Sequence, residues 1–488
     1  MAITKKILLR QHIGAPCEPC VKKGDEVKSG TLIAKPTGLG ANIFSSVDGK
    51  VDKVTKEFIL VKQNKEFKTG TDQKYKKIRY KKDDILDAVR AAGLVGLGGA
   101  GFPTAIKLDA KLKDGYVLVN AAECEPLIEH NMAQIRDYPE KTINGIKYCM
   151  KASGATKAVI AIKEKHKEEI EILNKHIDGK EISIHLLPDL YPSGEERAII
   201  RDVLGILLEP TQLPLEANCV VANIETVYRV AQAVEDKRPL ITKNITVAGK
   251  LKAGTDSKVL YDVPIGTSVG EIIEMVGGID GEYGEIILGG PFTGKAVDLD
   301  TPILKMSGAI LVTDKFENLK GTKLGLLLCA CGGNEDRMQD LAKKYNGKVV
   351  CVQKCKQAAD VKGTLKCENP GNCPGQALKC LNFKKEGCTD ILIGNCSDCT
   401  NTVMASAPQL GLEVHHQTDH VLKTCGLEPI RHLKNSKKTQ EELQSEEKSV
   451  NIKSTIDDLK HENPQMLIDE NVSISFDEIK DLDIELIF

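Results

Sequence analysis

Tryptophan is absent from the chain, and Phe and Tyr are few, 9 and 10 among 488 residues. Base-stacking platforms need exposed rings interleaved with positive charge, so no nucleic-acid binder of that kind is expected. Neither sign of charge dominates: 67 Lys and Arg stand against 69 Asp and Glu, which leaves no field for a polyanion or an anionic membrane. Long apolar runs are missing too. No stretch approaches the roughly 20 apolar residues that cross a bilayer, and residues 1–10 hold no apolar segment of signal-sequence length. The expectation is a cytoplasmic protein without a transmembrane anchor; a homo-oligomer is compatible with the composition. What the chain does have is cysteine, 16 in all, ten of them between Cys329 and Cys399. In a reducing compartment these read as thiols, metal or cluster ligands, or a redox pair rather than structural disulfides.

At 488 residues the chain exceeds one average core and should divide into about three or four units. The expected fold class is multidomain, α/β and β. Residues 1–75 show short Val-rich strands between Gly/Asp turns, as in Val21-Lys22-Lys23-Gly24-Asp25, and resemble the barrel-sandwich domain that carries biotin or lipoate. The carrier Met-Lys dipeptide is missing, and Lys35 before Pro36 reads as a surface lysine. Residues 80–235 alternate helical and strand-like segments, with strands at Tyr116-Val-Leu-Val119 and Ala158-Val-Ile-Ala-Ile162, which implies a Rossmann-like unit binding its ligand beyond the strands' carboxyl ends. Residues 240–315 read as a small β-grasp-like adaptor, 320–430 as a cysteine-rich α/β redox domain, and 431–488 as a charged linker and tail.

The sharpest local signal is Gly96-Leu97-Gly98-Gly99-Ala100-Gly101-Phe102-Pro103-Thr104. Dense glycine lets backbone approach a flat ligand or a phosphate and leaves N–H groups free for anions, and Pro103 suits a helix start. The run lacks the acidic partner of a dinucleotide fingerprint and the Gly-Lys-Ser/Thr end of a P-loop. From the residues alone it is either a flavin or nucleotide loop or a glycine-rich packing turn.

The segment resembles the FMN and NADH loop shared by the flavoprotein subunit of respiratory complex I and the RnfC subunit of the Rnf ferredoxin:NAD oxidoreductase. The likeness continues through Asn120-Ala-Ala-Glu123-Cys124-Glu125-Pro126, Tyr191-Pro-Ser-Gly194-Glu195-Glu196 and Asn223-Ile-Glu-Thr226, over about the first 315 residues. It implies that Gly96, Gly98, Gly99, Ala100 and Gly101 lie against FMN, with Lys107 near its phosphate or ring edge. Asn120, Glu123, Asn223 and Thr226 would bond the flavin or its ribityl chain, and Gly194, Glu195 and Glu196 would line the nicotinamide pocket. Where the complex I pattern has Asp, this chain has Ala122, so one contact is lost or passes to Glu123. Alternative roles stay open: Asn120 as a turn cap, and Ser193 as the N-cap of a helix with Glu196 at its third position. The implied chemistry is hydride transfer from NADH to FMN and one-electron steps onward. His185, His415, His416 and His420 show no catalytic spacing.

After the adaptor the chain departs from RnfC, because the Cys-x2-Cys-x2-Cys-x3-Cys run of two-cluster ferredoxins is absent. Its place is taken by Cys329-Ala-Cys331, Cys351, Cys355, Cys367, Cys373, Cys380, Cys388 and Cys396-Ser-Asp-Cys399. The spacings allow an iron–sulfur cluster or zinc and force neither. This departure resembles the PrdC family, the RnfC-like electron-transfer proteins associated with D-proline reductase, some of which carry selenocysteine at the position of Cys331. The resemblance implies a soluble reductase, D-proline reductase, as the electron acceptor. Cys329, Cys331, Cys396 and Cys399 are the redox candidates; Cys351, Cys355, Cys367, Cys373, Cys380 and Cys388 are the ligand candidates. Strands at Leu324-Gly-Leu-Leu-Leu328, Lys348-Val-Val350 and Asp390-Ile-Leu-Ile-Gly394 would bring three cysteine groups to one crevice, with a helix start at Cys396 or Cys399 favouring thiolate there. The competing reading is strand-end cysteines packed as small hydrophobes. For the whole chain the rivals are a peripheral subunit of an Rnf-like membrane complex and a thiol or scaffold module without flavin.

Overall fold

The computed structural model describes residues 4–64, 74–80, 84–99 and 101–429. The expectations for Ala100 and for the tail at 431–488 lie outside the described residues. The chain forms two compact units, one from residues 1–187, 194–315 and 420–428, the other including 188–193 and 316–419.

The first unit opens with two small antiparallel sheets. One orders Thr4–Leu8, Phe58–Gln63, Gly49–Val54 and Glu26–Val27; the other orders Glu18–Pro19, Leu32–Lys35 and Ile43–Phe44. Alternate side chains turn inward, so Ile7, Val51, Ile59 and Val61 meet Ile33 and Ile43 in one core. This is the barrel-sandwich architecture expected.

Next comes a parallel sheet whose strands lie in the order Ile182–Leu187, Lys157–Lys163, Tyr116–Ala121, Cys219–Asn223. Runs such as Val117-Leu118-Val119 are buried throughout, as a sheet covered on both faces demands. The connections reverse direction between Tyr116–Ala121 and Cys219–Asn223, and a crevice forms beyond the carboxyl ends of such a pair. Helix Pro139–Ser153 packs so closely on helix Ile224–Glu235 that a β-carbon on Gly145 would sit 1.9 Å from Val227 O. Inside the second helix Glu225 pairs with Lys243 and, at 3.3 Å, with Arg229, all three buried.

A mixed five-stranded sheet follows, ordered Lys258–Pro264, Thr242–Gly249, Ala309–Val312, Ile286–Leu288, Lys295–Val297, with helix Val269–Met275. Ser268 caps that helix, accepting from Glu271 N at 3.2 Å.

The second unit holds another parallel sheet, ordered Lys348–Lys354, Lys323–Leu328, Asp390–Ile393, Glu413–His416. Its direction reverses between Lys323–Leu328 and Asp390–Ile393, so residues after Leu328 and Ile393 border the crevice. The strand that starts at Lys348 runs on past the expected stop at Val350. Cys351 therefore lies inside the strand, and Cys355 takes the strand-end position instead.

Candidate functional site

Loops at the carboxyl end of the first unit's parallel sheet close on one another. In the glycine loop, Gly96 N donates to Phe102 O at 2.9 Å and Gly101 N to Gly96 O at 3.0 Å. Leu97 N donates to Thr226 Oγ1 at 3.0 Å, and a β-carbon on Gly98 would sit 3.1 Å from Asn223 Nδ2. Gly101 faces the Met306 sulfur, which a β-carbon would meet at 2.2 Å. Gly99 differs: its φ of +93° suits glycine, and nothing lies within 4 Å of where a β-carbon would stand. Backbone there is exposed.

Asn120 and Asn223 are register partners on adjacent strands. Asn120 Nδ2 donates to Gly194 O at 2.8 Å while its Oδ1 accepts from Ala122 N at 3.1 Å. Gly194 N in turn donates to Cys124 Sγ at 2.9 Å. Asn223 caps helix Ile224–Glu235 through Glu225 N at 2.9 Å. Lys107 Nζ bridges Glu196 Oε1 and Val221 O, each at 2.9 Å.

The expected helix start at Ser193 is corrected. Glu195 is the N-cap, its carboxylate accepting from Arg197 N at 2.8 Å and Ala198 N at 2.9 Å. Glu196, in the first turn, is left to pair with Lys107. Ala122 is buried in the apolar cluster with Leu118 and Ile199, and its β-carbon would stand 3.3 Å from a β-carbon on Gly194.

Two carboxyl groups complete the loop. Glu123 accepts from Asn131 Nδ2 at 2.9 Å and Glu125 N at 3.3 Å, and burial pushes its pKa up to about 7. Glu125 accepts from Phe292 N at 2.6 Å and from Thr293 N and Oγ1 at 2.9 and 2.5 Å, and burial raises its pKa as well. A β-carbon on Gly290 would stand 2.2 Å from the Glu125 carboxyl carbon, so glycine is needed where that turn crosses the loop.

In the second unit seven cysteines line one cavity of about 20 Å³: Cys329, Cys331, Cys355, Cys367, Cys373, Cys396 and Cys399. Such a volume suits about one water molecule. Cys331 hydrogen-bonds with Cys367 and Cys396, contacts that hold its thiol well above the ordinary range. Burial pushes Cys329 up to about 12. Cys373 goes the other way, to about 6, because the Cys399 thiol donates to it and because Thr402 Oγ1 and Gln376 Nε2 stand 3.2 and 3.3 Å away. Cys396 is the N-cap of helix Ser397–Ser406, and in its first turn Cys399 is held above the ordinary thiol range by the bond it gives to Cys373, so of these two thiols Cys373 is the one that favours thiolate. Cys351, Cys380 and Cys388 do not line the cavity; Cys380 is buried against Ser406, whose Oγ lies at 3.5 Å. Among the described residues no three His, Cys, Asp or Glu side chains are placed to hold a metal ion, so the six ligand candidates form no such site here.

Residues 89–232 match the family described as the Nuo51 FMN-binding domain, and residues 3–70 the RnfC barrel sandwich hybrid domain. An RnfC-type component of the proton-translocating ferredoxin:NAD(+) oxidoreductase complex of Clostridium ljungdahlii is 34% identical over 375 residues, 70% of this chain and 80% of that protein. The chain belongs to the RnfC family. Another relative is the cobalamin reductase PduS of Salmonella typhimurium, 33% identical over 337 residues, 67% of this chain and 68% of that protein. A structure of an NAD+-reducing [NiFe]-hydrogenase in the air-oxidized state aligns over 47% of this chain and 46% of that one, with 25% identity and a TM-score of 0.41.

The expected cofactors, FMN with NADH, accord with the RnfC-like domain pair, and the loops fit them: open backbone at Gly99, a cationic side chain at Lys107 and a buried carboxyl at Glu123. Every described flavin-site candidate is drawn into this group of loops. Much of their bonding capacity goes to one another, so Asn120, Asn223, Thr226 and Glu195 fix the loops. Sequence reasoning missed Glu125 and Cys124 as loop anchors, although both stand in the Glu123-Cys124-Glu125 string. It also missed Gln376 and Thr402, whose only signal is their spacing from Cys373 and Cys399.

Proposed function

We propose that this RnfC-family chain oxidises NADH at its flavin site and delivers the electrons, through the cysteines of its second unit, to a soluble cytoplasmic reductase, D-proline reductase. The observation that carries the reading is the convergence of the glycine loop with Asn120, Gly194, Glu196 and Asn223 at the reversal of a parallel sheet. When bound, FMN supplies the conversion from a two-electron donor to one-electron steps.

The chain's own residues would orient the reactants. Backbone at Gly98 and Gly99 would lie along the ring, Lys107 would stand near the phosphate or ring edge, and Glu196 and Gly194 would border the nicotinamide. Glu123 would sit protonated below about pH 7, able to donate a hydrogen bond into the crevice.

The acceptor rests on the cysteine-rich half and its likeness to PrdC. Purified chain, NADH and D-proline reductase should together reduce D-proline to 5-aminovalerate, and leaving out the chain should stop the reaction. NADH oxidation without any product from D-proline would remove that acceptor. The 34% identity to a component of a translocating complex favours a second reading, a peripheral member of a membrane assembly. Among the described residues no helix is long and apolar enough to cross a membrane. Sedimentation with membranes after a mild salt wash would support this second reading.

A further inference from the structure

Seven thiols around one small cavity are not equivalent. Cys373 is half-buried, whereas Cys399 is buried in the first turn of helix Ser397–Ser406. Neither is in a disulfide. The segment carrying Cys373 is fastened to that helix, because Cys373 N donates to Asp398 Oδ2 at 2.7 Å. Around the Cys373 sulfur stand Thr402 Oγ1, Gln376 Nε2, the backbone N–H of Gly375 and the Cys399 thiol. The Gly375 N–H, the Gln376 amide and the Cys399 thiol donate to sulfur, an arrangement that favours thiolate, while the Thr402 hydroxyl gives its proton to Cys399 O at 3.1 Å. The ionisable groups facing it are Asp398 and the thiols of Cys355, Cys380 and Cys399, and the hydrogen bonds outweigh them.

We propose that Cys373 and Cys399 form a dithiol–disulfide exchange site, with Cys373 the nucleophile and Cys399 the resolving thiol, acting on a disulfide of a partner protein. The exposed member of such a pair meets the substrate and the buried one releases it. Cys373 thiolate attacks one sulfur of the partner disulfide; a mixed disulfide forms, the partner's S–S bond breaks and its second sulfur leaves as thiolate. That thiolate takes the Cys399 proton. Cys399 then attacks Cys373 Sγ, forming the Cys373–Cys399 bond and releasing the partner as one thiol and one thiolate, the latter taking its proton from water. The pair returns to thiolate and thiol on taking up two electrons and one proton, the electrons coming from NADH through the flavin; this last step alone rests on the proposed function.

The test uses the full chain, purified without oxygen and mixed at pH 6 with dithiodipyridine, a small disulfide whose cleavage releases a coloured thiopyridone. Cys373 should react about tenfold faster than an ordinary thiol, its larger thiolate fraction being offset in part by lower intrinsic nucleophilicity. Wild type should release two thiopyridones in the fast phase and yield a Cys373–Cys399 peptide. Cys399→Ser should release one and keep the adduct on Cys373, and Cys373→Ser should lose the fast phase. Circular dichroism and thermal denaturation of the same samples separate loss of the pair from loss of the fold. A fast phase unchanged in Cys373→Ser, a disulfide mapped to other cysteines, or bound iron and sulfide lost on replacing Cys373 would each overturn the proposal. None of these readouts needs NADH, so the exchange site and the flavin reading fail separately.

Discussion

Asn120 stands beside Asn223 in the register of two parallel strands, at the point where the sheet's connections reverse direction. One side chain ties down the Gly194 loop and the other starts a helix while bordering Gly98. The crevice is thus built by its own lining residues, and substitutions can separate lining from building.

In the proposed flavin site Gly99 would line the cofactor. Gly99→Ala places a methyl group in open space, but at φ +93° it carries about 1–3 kcal/mol of backbone strain, so FMN should be retained with a lowered Tm. Gly99→Glu adds a charged chain where backbone should meet the cofactor, and FMN should be lost from a protein that is still folded. Flavin stoichiometry and thermal denaturation read both variants; normal FMN in Gly99→Glu would remove the loop from the site.

Lys107 pairs with Glu196 near the surface, a contact whose loss should cost less than about 1 kcal/mol of stability. A charge-assisted bond to an anionic cofactor is worth more, about 1.5–3 kcal/mol. Lys107→Ala should therefore weaken FMN about tenfold or more and NADH less. Equal effects in titrations of the two would move Lys107 away from the flavin.

Glu123 gives a pH signature. Its folded pKa of about 7 lies above the unfolded value, so between the two the folded state holds a proton that the unfolded state has lost. Stability from this group therefore falls as pH rises from about 4.5 to 7, by roughly 2–3 kcal/mol at about 1.4 kcal/mol per unit. Glu123→Gln should gain stability over wild type as pH rises through that window. Asn131 Oδ1, buried without a partner, can accept from the new amide if the Asn131 amide turns over. Denaturant curves at pH 5 and 8 check it; a difference between the two proteins that does not change with pH would contradict the buried carboxyl.

Glu225 belongs to the building set. Burial acts against its charge, yet Lys243 and Arg229 hold its carboxyl below the usual range. Glu225→Gln leaves these cations inadequately paired in the core and should cost about 3–5 kcal/mol. Urea unfolding measures that loss, and a cost under about 1 kcal/mol would show that the network is not stabilising.

Much of this was legible in the sequence because periodicity and punctuation agree locally. Val117-Leu118-Val119 and Leu326-Leu327-Leu328 read as buried strands, and the ordered motifs pointed to one crevice. What failed depends on partners distant in the chain. Cys351 looked like a strand end, but pairing with Gly325 on the neighbouring strand extends the ladder to Lys354. Ser193 was the better local cap, yet Glu195 makes the bonds. The low pKa of Cys373 comes from Cys399, 26 positions away, with Thr402 and Gln376 assisting, and no local pattern encodes that meeting.

The central claim is that the loops at the carboxyl end of the first unit's parallel sheet hold a flavin reducible by NADH. It is tested most directly by the absorption spectrum of the full chain purified without oxygen, before and after NADH is added. The expected result is FMN bound in a one-to-one ratio with the chain and bleached by stoichiometric NADH, with both properties lost in Gly99→Glu. A chain that carries no flavin and takes up none on reconstitution with FMN, while remaining folded, would contradict the account.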